Sequence, residues 1–454
     1  MMTVPFGNNI KLYLYGSSHG EKIGLLLKGF PGGVPVSAER MKKLLARRAP
    51  GGELSSARRE PDEPVFVSGF TEELVTDGTD ICIEIFNRDA RSGDYSEVNF
   101  IPRPSHADYA AVMKYGHDAD LRGGGIFSGR MTAMLCAAGA LCADYLRAFH
   151  IESTAHIYAI HDIKDTPFDA VNVGRQEKKR LEEADFPVLD AAAGEKMKAA
   201  IRAAKEDGNS VGGIIECAVT GLPAGLGEHP FASVEERISS ALFAIPGVKG
   251  VAFGAGFGAA SLTGSENNDC FTVSDGKVRT STNNNGGVTG GMTNGMPVVF
   301  RAAIKPTPSI AKAQTSVDLR TMTETELKIT GRHDPCIVPR AVPVAEAAAA
   351  IAIADILIGE RRAAENTLET LRAQINAEDE ILADVFRRRM ETAAKIGEYK
   401  KQHGIPVNDP AREQKVLEKV CAGAGGYAEE TRELYETIFR LSKRKQEALS
   451  DGNK

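Results

Sequence analysis

Gly331-Arg332-His333-Asp334-Pro335-Cys336 is the turn on which the reading of this chain rests. It sets an arginine and an aspartate two residues apart between glycine and proline, and an alanine-rich helix follows from about Val344. A fixed cation beside a carboxylate can hold an anionic substrate while the carboxylate handles a proton. The same residues also suit a structural cap, because Asp before Pro starts turns and caps helices. The remainder of the chain has to decide between the two.

The 454 residues are 42% hydrophobic and 26% charged, enough apolar material for two or three domains. A net charge of −6 argues against a general nucleic-acid binder, so any anion site must be built from local arginine clusters. Seven cysteines without a C-x-x-C pair read as reduced thiols. Residues 1–20 have no basic n-region or long apolar run, and no stretch reads as an uncharged membrane span. These features lead us to expect a cytoplasmic protein with no membrane partner, no nucleic acid and no metal.

Texture divides the chain. Up to about Gly359 it is mixed α/β: strands are expected at Ile10–Tyr15, Gly24–Lys28, Ile81–Phe86 and Gly213–Val219. Helices are expected at Ser37–Arg48, Ser128–Phe149 and Glu195–Glu206. Glycine crowds between Gly247 and Gly295, a region of tight turns. Residues 360–366 read as a charged linker or helix continuation, and from Thr367 onward the pattern is amphipathic helix. Leu368, Leu371, Ile375, Leu382, Phe386, Ala393 and Ile396 recur at helical steps, His403-Gly404 stops that helix, and Asp409-Pro410 caps the next. Gly423–Gly426 breaks the second helix, and a third runs from about Ala428 to Leu449. The expected division is an α/β body over 1–359, a linker over 360–366 and a three-helix module over 367–454.

Three segments of the body carry unusual chemistry. Gly16-Ser17-Ser18-His19-Gly20 puts a histidine at a glycine-flanked bend, and Arg103-Pro104-Ser105-His106 pairs arginine with histidine in a rigid turn. Gly123-Gly124-Gly125-Ile126-Phe127-Ser128-Gly129-Arg130 is a glycine loop entering a helix, whose N–H groups suit an anion. Each is weak alone. Together they resemble chorismate synthase, and the resemblance runs on through Val248–Val251, Gly264–Asp269, Asn285–Gly287, Gly290–Gly295, Lys305–Ser309 and the turn at Arg332–Cys336.

The resemblance implies a β-α-β sandwich that converts 5-enolpyruvylshikimate 3-phosphate to chorismate by 1,4-elimination of phosphate. It implies reduced FMN as cofactor, no net redox change, and NADPH as a possible flavin reductant. A substrate with two carboxylates and a phosphate needs several arginines, for which Arg48, Arg103, Arg130 and Arg332 are the candidates. By resemblance His19 assists phosphate departure, His106 serves the reduced flavin as proton donor, and Asp334 takes part in removing the C6 proton. Both histidines suit general-acid work near neutral pH. The flavin would rest on Arg48, Ser128, Gly247, Gly290, Lys305, Pro306, Thr307, Pro308, Ser309 and Arg332.

Two departures from the family pattern stand out. Gly51-Gly52-Glu53-Leu54 stands where many relatives carry a basic residue, so one substrate-side cation is either missing or replaced by Arg58 or Arg59. Ile126-Phe127 stands where relatives often have Arg-Ser, which leaves only backbone for the flavin there. Gly254-Ala255-Gly256-Phe257-Gly258-Ala259 has the outline of a dinucleotide-binding loop, but an Asn/Asp cluster arrives where a Rossmann helix should open.

In the helical module, Arg389 and Lys400 lie eleven residues apart, close to three turns, and share a face with Leu382, Ala393 and Ile396. Two cations on an apolar face need anions to meet them, or must reach solvent from the edge. Ser442 and Gln446 are one turn apart on the third helix, and Asp409, Arg412 and Glu413 gather at the start of the second. With Arg372 these positions resemble the all-helical chorismate mutase, which implies rearrangement of chorismate to prephenate. Lys400 and Gln446 would then hydrogen-bond the ether oxygen as charge develops there. Arg372 and Arg389 lie ~25 Å apart along one helix, so both can serve one pocket only if Arg372 comes from a second chain. An intertwined dimer of the module is therefore expected, within a homo-oligomer read as a tetramer. The alternative is a helical module that only regulates or oligomerises.

Overall fold

Buried and more open residues alternate along Ile81–Phe86 (β4), which pairs in one sheet with Lys11–Gly16 (β1), Lys22–Lys28 (β2) and Val65–Ser68 (β3). They form one antiparallel sheet in the order β1-β2-β4-β3, with Leu12 opposite Leu27 and Leu25 opposite Ile83. This period of two puts Leu12, Ile23, Leu25, Leu27, Ile81, Ile83 and Ile85 on one buried face. The computed structural model describes residues 4–52, 54–55, 62–87, 99–118, 120–274, 276–329, 334–365 and 367–451.

A second antiparallel sheet is built from Glu152–Ile160 (β5), Ile163–Lys164 (β6), Gly213–Thr220 (β7), Val248–Phe253 (β8) and Val298–Ile304, in the order β6-β5-β7-β13-β8 with the last named as β13. Three hairpins complete the strands: Phe271–Ser274 (β9) with Lys277–Thr280 (β10), Val288–Thr289 (β11) with Met292–Thr293 (β12), and Gln314–Asp318 (β14) with Thr323–Leu327 (β15). The helices of the body are Ala38–Arg48 (α1), Asp108–Tyr115 (α2), Thr132–Arg147 (α3), Arg175–Glu183 (α4), Ala191–Glu206 (α5), Val234–Phe243 (α6), Gly264–Asn267 (α7) and Val338–Glu365 (α8).

Helix α3 lies between the sheets, touching β2 and β4 on one side and β5 on the other. It crosses α8 closely at Gly139, where a Cβ would stand 2.3 Å from that of Ala347. The body is thus a β-α-β sandwich over one continuous apolar core. The loop at Gly254–Ala259 leads into a short 3₁₀ turn, Gly256–Ser261, and then the four-residue α7, so no dinucleotide-binding helix opens there.

Helix α8 corrects two expectations. It begins at Val338 rather than Val344, because Pro339 and Pro343 fall near its start, where few intrahelical N–H bonds are lost. It also contains a stretch long and apolar enough to cross a membrane, with mean hydropathy 2.0, yet that stretch is wholly buried inside the protein. Its apolarity is that of a core helix. The chain divides into two compact units, Met1–Arg361 and Arg362–Lys454, and the charged run 360–365 continues α8 as helix.

The second unit holds Leu368–His403 (α9), Pro410–Ala422 (α10) and Ala428–Asp451 (α11). Gly404, at φ 64°, ends α9 in the left-handed region that glycine tolerates. Asp409 caps α10 by accepting from the Arg412 N–H at 3.0 Å, with Pro410 in the first position.

One buried charge cluster holds the second sheet. The His156 ring, wholly buried, lies 3.0 Å from Asp165 and 3.0 Å from Glu216, one carboxylate on each ring nitrogen. Asp165 also accepts from the N–H groups of Leu189 and Asp190, and Glu216 from the Phe168 N–H and Arg301. Burial alone would push the His156 imidazole down, but the bonds to Asp165 and Glu216 outweigh it and leave its pKa raised. Both carboxyls are held low against the same burial, chiefly by His156. A raised histidine stabilises fully below its unfolded value of about 6.5 and loses that contribution as pH climbs through the folded value. The lowered carboxyls contribute above about 4 and fail on acidification. His156→Ala, which strands two buried carboxylates, is therefore expected to cost about 3–5 kcal/mol. Urea unfolding followed across pH should show the loss largest near pH 5–6 and smaller above the folded histidine pKa.

Candidate active sites

The bend after β1 and the glycine loop are built against each other. Ser18, fully buried, donates its N–H to the Gly125 carbonyl at 3.3 Å. Its Oγ lies 3.1 Å from the Arg122 carbonyl and 3.1 Å from His19 Nδ1. A hydroxyl has one proton, so if Ser18 donates to the carbonyl, His19 Nδ1–H donates to Ser18. Gly123, Gly124 and Gly125 all have positive φ, at 57°, 92° and 54°. A Cβ on Gly123 would stand 1.9 Å from His19 Cε1, and one on Gly124 would stand 3.5 Å from His106 Nε2. Two consecutive glycines thus give room to the two histidines. The loop forms a kinked 3₁₀ segment, Arg122–Phe127, and α3 starts only at Thr132, so the expected helix N-terminus does not follow the glycines directly.

His106 is oriented by a buried carboxylate. Asp108 Oδ1 lies 2.6 Å from His106 Nδ1, and Arg103 reaches the same carboxylate through Nε at 2.7 Å and a terminal nitrogen at 2.8 Å. Burial would raise the Asp108 carboxyl, but the bonds from Arg103 and His106 hold it well below the usual range. So short a contact to a carboxylate identifies Nδ1 as the protonated nitrogen and turns Nε2 toward Gly124. Arg103 also donates to Ser309 Oγ at 3.2 Å, and Lys305 Nζ donates to the Ser105 carbonyl. The segment 305–309 is thereby bound to the His106 turn. Burial and the neighbouring Lys249 lower the Lys305 ammonium.

The third group is cationic. Arg48, at the end of α1, and Arg130 both donate to Asp62, one to each carboxylate oxygen, and all three side chains are buried. Arg130 Nε donates to Asn87 Oδ1 at 3.0 Å. Arg340 donates to the Arg48 carbonyl at 2.9 Å and pairs with Asp334. Among the described residues three guanidiniums face two carboxylates here, leaving one positive charge in the interior. Arg48 Nε is buried without a partner among those residues. Interior cations with spare donors suit an anionic ligand.

Arg332 and His333, at the centre of the turn read first, lie outside the described residues, as do Arg58 and Arg59. Asp334 is described: it meets Arg340 in α8, and Thr307 Oγ1 donates to its carbonyl at 2.6 Å. The turn thus joins the segment 305–309. Gly247 joins it too, its carbonyl accepting the Lys305 N–H at 2.9 Å. Gly290 sits elsewhere, in the β11–β12 hairpin, whose backbone bonds run to Gly225, Leu226 and Val234. Phe127 packs beside α2 on Ala111, Val112 and Leu121, which accounts for an apolar residue in that loop. Asp62, Asn87, Asp108 and Arg340 were not found from sequence. Asp108 could have been, since it stands two residues from His106.

In the second unit, Arg389 donates to Ser442 Oγ at 2.8 Å, and Gln446 packs on Gly397, where a Cβ would lie 3.0 Å from Gln446 Cγ. Lys400 Nζ donates to the Val407 carbonyl at 2.8 Å, and Glu413 pairs with Lys443 at 3.2 Å. Arg372 and Arg412 are exposed. The face shared by Arg389 and Lys400 is less apolar than expected. Ala393 and Gly397 are buried there, while Leu382 and Ile396 are 54% and 46% exposed.

The family model for chorismate synthase matches residues 10–358, and that for chorismate mutase type II matches residues 371–447. The chain belongs to the chorismate synthase family. It is 42% identical over 367 residues to a chorismate synthase of Lancefieldella parvula, covering 79% of this chain and 97% of that one. It is 45% identical over 352 residues to one of Thermococcus gammatolerans, covering 78% and 97%. A solved chorismate synthase structure superposes with a TM-score of 0.61 at 29% identity, over 78% of this chain and 93% of that one. The chain is thus a chorismate synthase followed by a chorismate mutase domain.

The chorismate synthase unit offers a direct test of its glycine loop. Gly123→Ala forces a Cβ into the His19 ring at a left-handed position. Misplacing a catalytic group by about 1 Å can cost roughly 100-fold. Chorismate formation by this variant should fall by at least that factor in a kcat measurement.

Proposed function

We propose that the first unit eliminates phosphate from 5-enolpyruvylshikimate 3-phosphate to give chorismate, and that the second rearranges chorismate to prephenate. What carries the first part is the seating of two histidines on adjacent glycines of one loop, together with a buried arginine cluster of net positive charge. Arg48, Arg103, Arg130 and Arg332 bind the substrate's carboxylates and phosphate. Arg103 is largely spent on Asp108, so its main task is to hold that carboxylate beneath His106. In its doubly protonated form His19 gives the Nε2 proton to the departing phosphate. His106, likewise doubly protonated, donates from Nε2 on the flavin side, its Nδ1 fixed by Asp108. Asp334 assists proton removal at C6, and its pairing with Arg340 aims the carboxylate.

Reduced FMN fits this residue set. The unpartnered Arg48 Nε and the Lys305 ammonium suit a phosphate-bearing group. Arg48, Ser128, Gly247, Lys305–Ser309 and Arg332 would hold it, with Gly290 reaching it only if another part of the assembly contributes. When bound it supplies reducing equivalents that return to it, so no net redox change results. NADPH would serve to reduce it.

In the mutase domain the pocket orients a dicarboxylate and needs no general base. Arg389 fixes one carboxylate, and Lys400 and Gln446 meet the ether oxygen. Asp409, Arg412, Glu413 and Ser442 line the same end. Arg372 comes from a second copy, in a paired module within a homotetramer. The open apolar row at Leu368, Leu371, Ile375 and Val385, each more than 40% exposed, supports that pairing. The functional division is 1–359, a joint at 360–366, and 367–454, in a protein we place in the cytoplasm.

Anaerobic incubation of 5-enolpyruvylshikimate 3-phosphate with reduced FMN, following chorismate and prephenate separately, tests both halves. Lys400→Ala should reduce prephenate formation by about 100-fold or more and leave chorismate formation intact. Chorismate that accumulates without prephenate in the unaltered protein would leave only the first activity. An isolated module that stays monomeric and keeps full mutase activity would refute the pairing.

A further inference from the structure

We propose that Asn87 is a positioning residue that ties the anion-binding Arg130 to the turn carrying His19. The proposal rests on the elimination reading above. Asn87 follows β4 directly and uses every arm of its side chain. Its Oδ1 accepts from Arg130 Nε at 3.0 Å, while Nδ2 donates to the carbonyls of Ser17 at 3.0 Å and Gly20 at 2.8 Å. Its backbone N–H adds a bond to the Glu21 carbonyl at 2.9 Å. The amide orientation is settled by its partners: two carbonyls require the NH₂ group, and a guanidinium N–H requires the oxygen.

The two carbonyls bracket His19 in sequence, so Asn87 grips the turn on both sides of the imidazole. The ring itself lies against Gly123, where a Cβ would collide with it. At its other end Arg130 is fixed on Asp62, which also holds Arg48. A continuous chain therefore runs from Arg48 through Asp62, Arg130 and Asn87 to the His19 turn. An anion seated on the arginines and the proton that must reach its leaving group are placed by one set of bonds. The chemistry gains from this, because proton donation to a departing phosphate demands a fixed distance between guanidinium and imidazole.

Asn87→Asp separates the two halves of the link. A carboxylate still accepts from Arg130 but sets an oxygen against the two carbonyls, releasing the turn while holding the arginine. The expected result for chorismate formation is a kcat at least about tenfold lower with KM within about threefold. Asn87→Leu, which releases both, should lower kcat and raise KM together. Thermal unfolding and binding of reduced FMN are measured on each variant. Should Asn87→Asp not fold, Asn87→Gln carries the test: it keeps both groups on a longer arm and should lower kcat alone. A kcat within about twofold of the unaltered protein in the folded Asp or Gln variant overturns the proposal. So does a KM rise in Asn87→Asp equal to that in Asn87→Leu. His19→Ala is run alongside: if it retains full activity the elimination reading itself fails, whereas an inactive His19→Ala beside an unimpaired Asn87→Asp sinks only the coupling.

Discussion

Helix α8 is the constraint on which the first unit depends. Its middle is apolar and enclosed, and the few charged side chains it keeps inside each hold a different part of the molecule. Asp355 accepts the N–H groups of Asn8, Asn9 and Ile10 at 2.7–3.0 Å and so anchors the entry to β1. Glu346 takes both arms of Arg47 at the end of α1 and the Ala155 N–H in β5. Arg340 holds Asp334 and the Arg48 carbonyl. These three positions span ~22 Å of helix, so one rigid element joins the first sheet, the second sheet and the arginine cluster. A buried carboxylate that lost such partners would carry the full cost of its desolvation.

The two reaction centres solve related problems differently. In the synthase unit, charge is collected from distant elements: Arg48 from a helix end, Arg130 from a short turn, Asp62 from the segment before β3. Mutual repulsion of the guanidiniums is relieved by Asp62, which takes one arm of each. In the mutase domain the groups sit on regular helices, and their spacing follows from the helical repeat with little help from buried carboxylates. Under the proposed chemistry the first site moves protons, and its two histidines have second partners in Asp108 and Ser18. Under the same proposal the second only orients its substrate and stabilises charge.

Periodicity made the helical domain legible: the recurrence along α9, the Gly404 stop and the Asp409-Pro410 cap all have local physical causes and occur where those causes predict. Strands such as Ile81–Phe86 were readable for the same reason. The candidate site of the first unit was legible only as separate motifs, and their partners were not. Asp62 and Arg130 lie 68 residues apart, and Asn87 and Ser17 lie 70 apart. Nothing in local pattern marks an aspartate that will sit between two arginines once two sheets have folded around α3. The opening of α8 lies six residues before the alanine-rich run that marks it in sequence, and prolines near a helix start remove few intrahelical bonds. Asp334 joins α8 to the segment at Lys305–Ser309 through Arg340 and Thr307, a link that no local pattern marks.

The exposed apolar row along the first half of α9 has a consequence for how the protein behaves on dilution. A module whose Leu368, Ile375 and Ile381 are more than half exposed in one chain gains stability from whatever covers them, by mass action. Its folded fraction then becomes a function of how many chains share the solution, whereas the first unit has an enclosed core of its own. The two activities of one polypeptide would in that case answer to different variables: the first to substrate and flavin, the second also to the abundance of the protein itself.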